Sequence, residues 1–230
     1  MLRKKKIVVN IIFNTRINLQ NSSLPRWIKY RIDIFFKFTL NSLINQTNQD
    51  FTVYVKYMDE TERIIKRLLR HRPALPGNIL FVKEKEAEAH LLKNLHEYDD
   101  LYIVRIDSDD LYHKSFIQQL HDYIPNKKTN ALINQKGYLY DSIHHRMASI
   151  DRPSPPFYTL VYKAKKYIRG KRHPLLAGHG DVINLRHEII QPRNYVVVIH
   201  GKNKSSKFKC KDPSLLIDSS SIPSILRDFM

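Results

Sequence analysis

Cysteine is all but missing: Cys210 is the only one among 230 residues, which excludes an intramolecular disulfide and any zinc site built on cysteine pairs. That economy suits a reducing compartment, and the cytoplasm is the expected location. Long apolar runs are lacking as well. The longest lies within Lys6-Ile-Val-Val-Asn-Ile-Ile-Phe13, far short of the roughly 20 residues that cross a bilayer. The basic stretch Arg3-Lys4-Lys5-Lys6 is not followed by the small-residue cleavage site of a secretory signal, so a buried first strand behind a solvated basic lead-in is expected. There is no internal repeat, no aromatic RNP-like strand and no helix-turn-helix signature. Acidic residues are outnumbered, 22 against 39 Lys and Arg, for a net charge of +17. Such a field attracts nucleic acid, anionic lipid headgroups or nucleotide diphosphates, and charge alone does not choose among them.

The apolar fraction of 42% and the aromatic fraction of 10% are those of a globular chain. Short β-rich runs alternate with amphipathic ones. Strands are expected at Ile7–Phe13, Phe51–Tyr57, Ile79–Val82, Leu101–Ile106 and Ala131–Asn134. A helix over Trp27–Leu43 would bury Ile32, Phe35, Phe36, Leu40 and Leu43. Others are expected from Glu60 to Arg70, with Asp59 or Thr61 as N-cap, from Lys85 to Tyr98 and from His113 to Tyr123. This β-α rhythm predicts an α/β fold with a mainly parallel sheet flanked by helices. After Gly137 the pattern loosens: Arg152-Pro-Ser-Pro-Pro156 must be a loop, Asp181–Ile190 could form a helix, and Tyr195–Ile199 is a clear strand. Residues 1–212 are therefore expected to form one domain, with a nucleotide-binding half over 7–136, a closing half over 137–212, and 213–230 as a C-terminal tail.

One cluster carries chemistry. In Arg105-Ile-Asp-Ser-Asp-Asp110, three carboxylates follow directly on the most strand-like run of the chain. Ligands of parallel α/β sheets bind beyond the carboxyl ends of the strands, which is where this cluster falls. Asp107 and Asp109 on an extended segment point to one side and can share a cation. Hard oxygen donors suit Mg²⁺ or Mn²⁺, which commonly bind through one or two carboxylates plus substrate phosphates. The same residues would also make a solvated acidic turn with Asp110 capping the next helix.

Leu101-Tyr-Ile-Val-Arg-Ile-Asp-Ser-Asp-Asp-Leu111 resembles the Asp-X-Asp strand of inverting GT-A glycosyltransferases, in particular the rhamnosyltransferase group related to glycosyltransferase family 2. Further matches occur in the same order: Phe13-Asn-Thr-Arg16, Arg26-Trp27, Arg31 and Phe38 to Thr47; then Asp50 to Val55; and finally Tyr195-Val-Val-Val-Ile-His-Gly-Lys-Asn203. The resemblance spans residues 7–203, although Asn41-Ser42-Leu43 stands where the group has Pro-Ser-Leu. It implies a GT-A, Rossmann-like domain and transfer from a nucleotide-diphospho-sugar donor to a glycan or lipid-linked acceptor.

The resemblance also implies roles. Asp107 would lie near the ribose, Asp109 would hold the metal with Asp110 as second ligand or cap, and His200 would return to the same ion. Arg16 and Asp59 would sit by the base and ribose, Arg105 would organise the carboxylates or serve packing, and Lys202 and Lys204 could close over the diphosphate or form a solvated lysine run. No clean acidic pair supplies the catalytic base, so His179-Gly-Asp181 is the candidate, with His179 or Asp181 accepting the proton; the plain alternative is an N-cap aspartate in a glycine turn. Met147–Tyr158 could wall the acceptor site. His144-His145 lacks a partner at metal spacing and reads as surface. Two other functions stay open: a basic nucleic-acid-binding protein or metal-dependent nuclease or nucleotidyltransferase, and a non-catalytic glycan-binding module. A basic shell could also hold the chain against an anionic inner leaflet.

Overall fold

The computed structural model describes residues 3–14, 25–175, 178–203 and 207–230. In chain order the elements are β1 (Lys5–Ile12), α1 (Pro25–Lys37), α2 (Thr39–Ile44), β2 (Thr52–Tyr57), α3 (Glu62–Leu69), β3 (Ile79–Lys83), α4 (Glu84–Lys93), β4 (Asp100–Ile106), β5 (Leu111–Tyr112), α5 (Phe116–Asp122) and β6 (Ala131–Ile133). They continue with β7 (Lys136–Asp141), β8 (Arg146–Asp151), β9 (Tyr158–Lys163), α6 (Ala164–Ile168), β10 (His187–Ile189), β11 (Tyr195–Ile199), β12 (Leu216–Ile217) and α7 (Ile222–Leu226).

Among the described residues the strands form two sheets. The first has seven strands in the order β10-β6-β9-β4-β1-β2-β3, the second five in the order β12-β8-β7-β11-β5. In the first, β3, β2, β1 and β4 run parallel, and β9 enters antiparallel between β4 and β6. This is the expected mainly parallel α/β layer. Its central strands are apolar on both faces because helices cover both, with Val9, Ile11, Val53 and Val55 in one core and Val8, Tyr54 and Leu101 in another. Each such side chain removed from water contributes about 1.5–3 kcal/mol.

Several sequence expectations need correcting. The single helix over Trp27–Leu43 is two, because Phe38 leaves helical geometry at φ −116°, ψ −78°. Within α1, Ile28, Ile32 and Phe35 recur at helical spacing and are buried, while Tyr30 and Arg31 fall on a flank. The helix expected at Asp181–Ile190 is a 3₁₀ segment, Gly178–Asn184, followed by β10. Asp59 lies in a 3₁₀ turn ahead of α3, and neither it nor Thr61 makes a side-chain cap there. Strands β7 and β8 occupy a stretch that carried no strand expectation. Residues 213–230, set apart as a tail, pack onto the second sheet: β12 pairs with β8, and Ile222 and Phe229 are buried.

The two sheets are joined at the acidic turn. β4 belongs to the first sheet, and five residues later β5 pairs antiparallel with β11 in the second, Leu111 opposite Val196. Gly137 is required next to this junction, because a Cβ there would stand 2.4 Å from the ring of Tyr195. That ring stacks on Phe157 with centroids 3.9 Å apart.

Candidate active site

The site forms where β4 runs out. Backbone groups close the turn, with Asp110 N–H donating to Asp107 O at 3.3 Å. The Thr39 hydroxyl at the start of α2 donates to Asp110 O at 2.9 Å. Asp110 faces inward. Its Oδ1 accepts the Val198 N–H at 3.0 Å, so a side chain of the turn pins β11. Burial drives the Asp110 carboxyl well above the carboxylate range, helped by Asp109 and Asp107 and opposed by the Val198 bond. It does not cap α5, whose N-cap residue is Ser115, and its Oδ1 is engaged on the core side of the turn. It sets register instead: with Val198 held by Asp110, His200 is brought to Asp109.

That meeting is the centre of the site. His200 Nε2 lies 3.0 Å from Asp109 Oδ2, and its side chain is only 2% exposed. On the other edge of the ring, Nδ1 is 2.7 Å from the Tyr30 hydroxyl, which itself donates to His200 O at 2.8 Å. Gly201 at φ +82° turns the chain away from β11. Asn203 then folds back, accepting from His200 N–H at 2.7 Å and donating to Val198 O at 2.9 Å. The His-Gly-Lys-Asn sequence is thus a turn that fixes a histidine. Lys202 lies 4.6 Å over the Tyr30 ring, within range of a cation–π contact.

Arg31 completes the group. It donates to Asp109 Oδ2 at 3.2 Å and closely to the buried Ser108 hydroxyl, while its Nε is buried with no partner among the described residues. Burial works to raise the Asp109 carboxyl, but the His200 hydrogen bond and the Arg31 charge together hold it below the usual value. Asp107 moves the other way. Burial raises it, against the pull of Arg105, which bonds it at 2.9 Å and also donates to Pro156 O at 2.7 Å. Two aspartates two residues apart are thereby driven to opposite sides of the ordinary range.

The other expected residues divide. His179 comes into electrostatic range of Arg105 and Asp107; burial first, then Arg105, lowers its imidazole. The Ser154 hydroxyl holds its segment by donating to His179 O at 3.0 Å. Asp181 is in the same 3₁₀ segment. Asp59 is exposed beyond the end of β2, on the same edge of the sheet. Arg16 and Lys204 lie outside the described residues. His144 is exposed and bonds the buried Asp141 at 2.9 Å, in the turn after β7 whose Ser142 N–H donates to Ile199 O. Of the stretch Met147–Tyr158, Met147 is buried in the core of the second sheet, while Ser154 and Pro156 contact His179 and Arg105. Tyr30, Ser108 and Asn203 had no assigned role on sequence grounds, and Arg31 was visible only as a point of family likeness.

The chain matches the family described as "Putative rhamnosyl transferase" over residues 20–212. No curated protein matches it. Among solved structures it is similar to Staphylococcus aureus TarS 1–349 in complex with UDP-GlcNAc, at 14% identity and a TM-score of 0.43, covering 89% of this chain and 62% of that one. It is also similar to the mannosyltransferase PcManGT from Pyrobaculum calidifontis in complex with GDP-Man and Mn²⁺, at 14% identity and a TM-score of 0.46, covering 88% and 59%. A third likeness is to 4-diphosphocytidyl-2C-methyl-D-erythritol synthase from Anaerococcus prevotii, at 13% identity and a TM-score of 0.38, covering 97% and 96%. All three are distant, and the chain spans about three fifths of the length of the first two.

Proposed function

The chain belongs to the rhamnosyl transferase family of glycosyltransferases, and on that premise we propose that it moves a sugar from a nucleotide-diphospho-sugar to a hydroxyl acceptor at the edge where Asp109 and His200 meet. The observation that carries the reading is the 3.0 Å contact between those two side chains at the carboxyl end of the parallel strands. The family's rhamnosyl label is not taken as the identity of the sugar.

The donor set fits a divalent ion. Asp109 Oδ2 and His200 Nε2 are 3.0 Å apart, the spacing of adjacent ligands on an ion with bonds of about 2.1 Å. The bonding behind the histidine fits too. An ion bound between Asp109 and His200 would displace the Nε2 proton that now bonds Asp109; with the ring's proton then on Nδ1, the ring would donate to the Tyr30 hydroxyl, which donates to His200 O. Among the described residues no group of three metal-type side chains gathers, so the donor's phosphates would complete the shell. A nitrogen ligand favours Mn²⁺ over Mg²⁺. Once bound, the ion would neutralise charge growing on the departing diphosphate.

The protein's own groups supply the rest. Arg31 and Lys202 place two cations beside the Asp109–His200 pair, suited to a diphosphate. Asp107 and Asp59 are where the ribose and base would rest. His179, with its imidazole lowered, is neutral near pH 7 and can accept the acceptor's hydroxyl proton. The acceptor oxygen bonds to the anomeric carbon as the carbon–oxygen bond to the diphosphate breaks, and that electron pair leaves with the diphosphate. A direct displacement of this kind inverts the anomeric configuration. No helix is long and apolar enough to cross a membrane among the described residues; the net charge of +17 would suit contact with anionic lipid that carries a lipid-linked acceptor.

The test is to incubate the protein and Mn²⁺ with a panel of nucleotide-diphospho-sugars and follow nucleoside diphosphate release. Release from one donor, lost in Asp109→Ala and in His200→Ala, supports the reading. Binding of a donor with no release under any acceptor would leave a glycan-binding module, and no binding at all would remove the proposal.

A further inference from the structure

A cavity opens at the edge of the main sheet opposite Asp109, where β1 and β4 begin and β9 ends. It encloses about 640 Å³. Its lining holds six cationic side chains, Arg3, Lys5, Lys127, Lys163, Lys166 and Lys171, against two carboxylates, Asp100 and Asp122. Some of that charge is already spent. Arg3 and Lys163 both pair with Asp100, at 2.8 and 2.9 Å. Lys5 donates to the carbonyls of Leu120, His121 and Tyr123 at the end of α5, which fixes that wall. Lys127, Lys166 and Lys171 are exposed and form no ion pair among the described residues.

The wall carries an independent sign of a ligand. Tyr102 is 0% exposed and lines the cavity, yet its buried hydroxyl has no hydrogen-bond partner among the described residues. A buried hydroxyl left unpaired costs about 1–3 kcal/mol unless something bonds it. Apolar surface is present as well: Val161 and Pro125 line the cavity, and Ile124 on its rim is 83% exposed. His173, also lining, stacks on Tyr162 with centroids 4.2 Å apart.

We propose that this cavity binds a phosphomonoester with an apolar body, its phosphate held by Lys127, Lys166 and Lys171 and its oxygen bonded by the Tyr102 hydroxyl once the wall shifts to admit it. Three free ammonium groups suit a compact, multiply charged anion, and the apolar wall accepts what the phosphate is attached to. The site lies on the sheet edge away from Asp109 and does not rest on the transferase reading. The phosphate could belong to a soluble compound or to a lipid headgroup, and the two sources separate experimentally.

The experiment is calorimetric titration of the full chain with phenyl phosphate and with phenol, alongside flotation with phosphatidylcholine vesicles with and without phosphatidic acid. Tyr102→Phe, Lys166→Ala/Lys171→Ala and Asp109→Ala are compared with wild type. Phenyl phosphate should bind and phenol should not, with affinity about tenfold weaker in the first two variants and unchanged in Asp109→Ala. Tyr102→Phe should melt no lower than wild type when free, since it deletes an unpaired group. Vesicle binding that needs phosphatidic acid and shows the same variant dependence supports the site with lipid as its source. Absence of binding to either phosphate, binding indifferent to the Tyr102 and lysine substitutions, or binding abolished by Asp109→Ala would overturn it.

Discussion

Asp109 Oδ2 and His200 Nε2 meet at 3.0 Å across 91 residues of chain, and the contact depends on a neighbour that does not touch it. Asp110 holds Val198 through a buried hydrogen bond, placing β11 so that the residue two further on reaches the residue one before. The acidic turn therefore has two functions split between adjacent carboxylates, one facing the site and one facing the core.

Asp110→Ala should leave the Val198 N–H unpaired in a buried setting and cost about 1–3 kcal/mol. Asp110→Asn keeps an acceptor and should cost less. Chemical denaturation checks the order. Equal stability of both variants and wild type would deny Asp110 its structural role.

Tyr30→Phe removes the hydroxyl behind His200. Outer-shell partners of a metal-binding histidine are worth about 10–100-fold in affinity. Mn²⁺-dependent nucleoside diphosphate binding should fall into that range while melting temperature barely changes. Titration calorimetry on the two proteins reads it directly.

Much of this was legible beforehand and some could not have been. The strands β1, β2 and β4 announce themselves because their central residues are buried on both faces and read as apolar runs, such as Ile7-Val-Val9 and Leu101-Tyr-Ile-Val104. The carboxylate cluster was visible because three aspartates at a strand end are costly without a reason. Which aspartate faces the site was not visible, since Asp109 and Asp110 differ only in what the tertiary fold sets opposite them. Tyr30 and Arg31 share α1 with Lys29 and Asp33, which form an ordinary surface ion pair, so nothing local marks them. Strands β7 and β8 were hidden by polar and basic residues such as Lys136, Ser149 and Arg146, which belong to a partly solvated sheet.

The opposed shifts of Asp107 and Asp109 can be tested through Arg31. Its charge helps hold the Asp109 carboxyl low, so Arg31→Gln should move that carboxyl upward. Carboxyl-carbon NMR titration would show the shift. Arg31→Lys should not restore diphosphate binding fully, because one ammonium cannot reproduce the forked contact with Asp109 and Ser108.

With His179 as the proposed base, its titration would set the pH dependence. A base works when unprotonated, and burial with Arg105 lowers this imidazole below its ordinary 6.5. The rate should therefore stay level as pH falls through 6.5 and decline only below it. His179→Gln should remove that acid limb along with most of the rate. A limb above the ordinary histidine value would assign the base elsewhere, with Asp181 the next candidate.

Gly137→Ala would drive a methyl to 2.4 Å from the Tyr195 ring, and overpacking of this kind costs about 1–3 kcal/mol. The loss should be seen in denaturation and should be reduced in a Gly137→Ala/Tyr195→Leu background, where the ring is absent.

The most direct test of the central claim is thermal stabilisation by a panel of nucleoside diphosphates, with and without Mn²⁺, on wild type, Asp109→Ala and His200→Ala. A ligand that binds the native state alone raises its stability by mass action. The site described here predicts that one nucleotide raises the melting temperature of wild type when Mn²⁺ is present, and that both variants lose the effect. A nucleotide that stabilises all three proteins alike, or none that stabilises wild type, would contradict it.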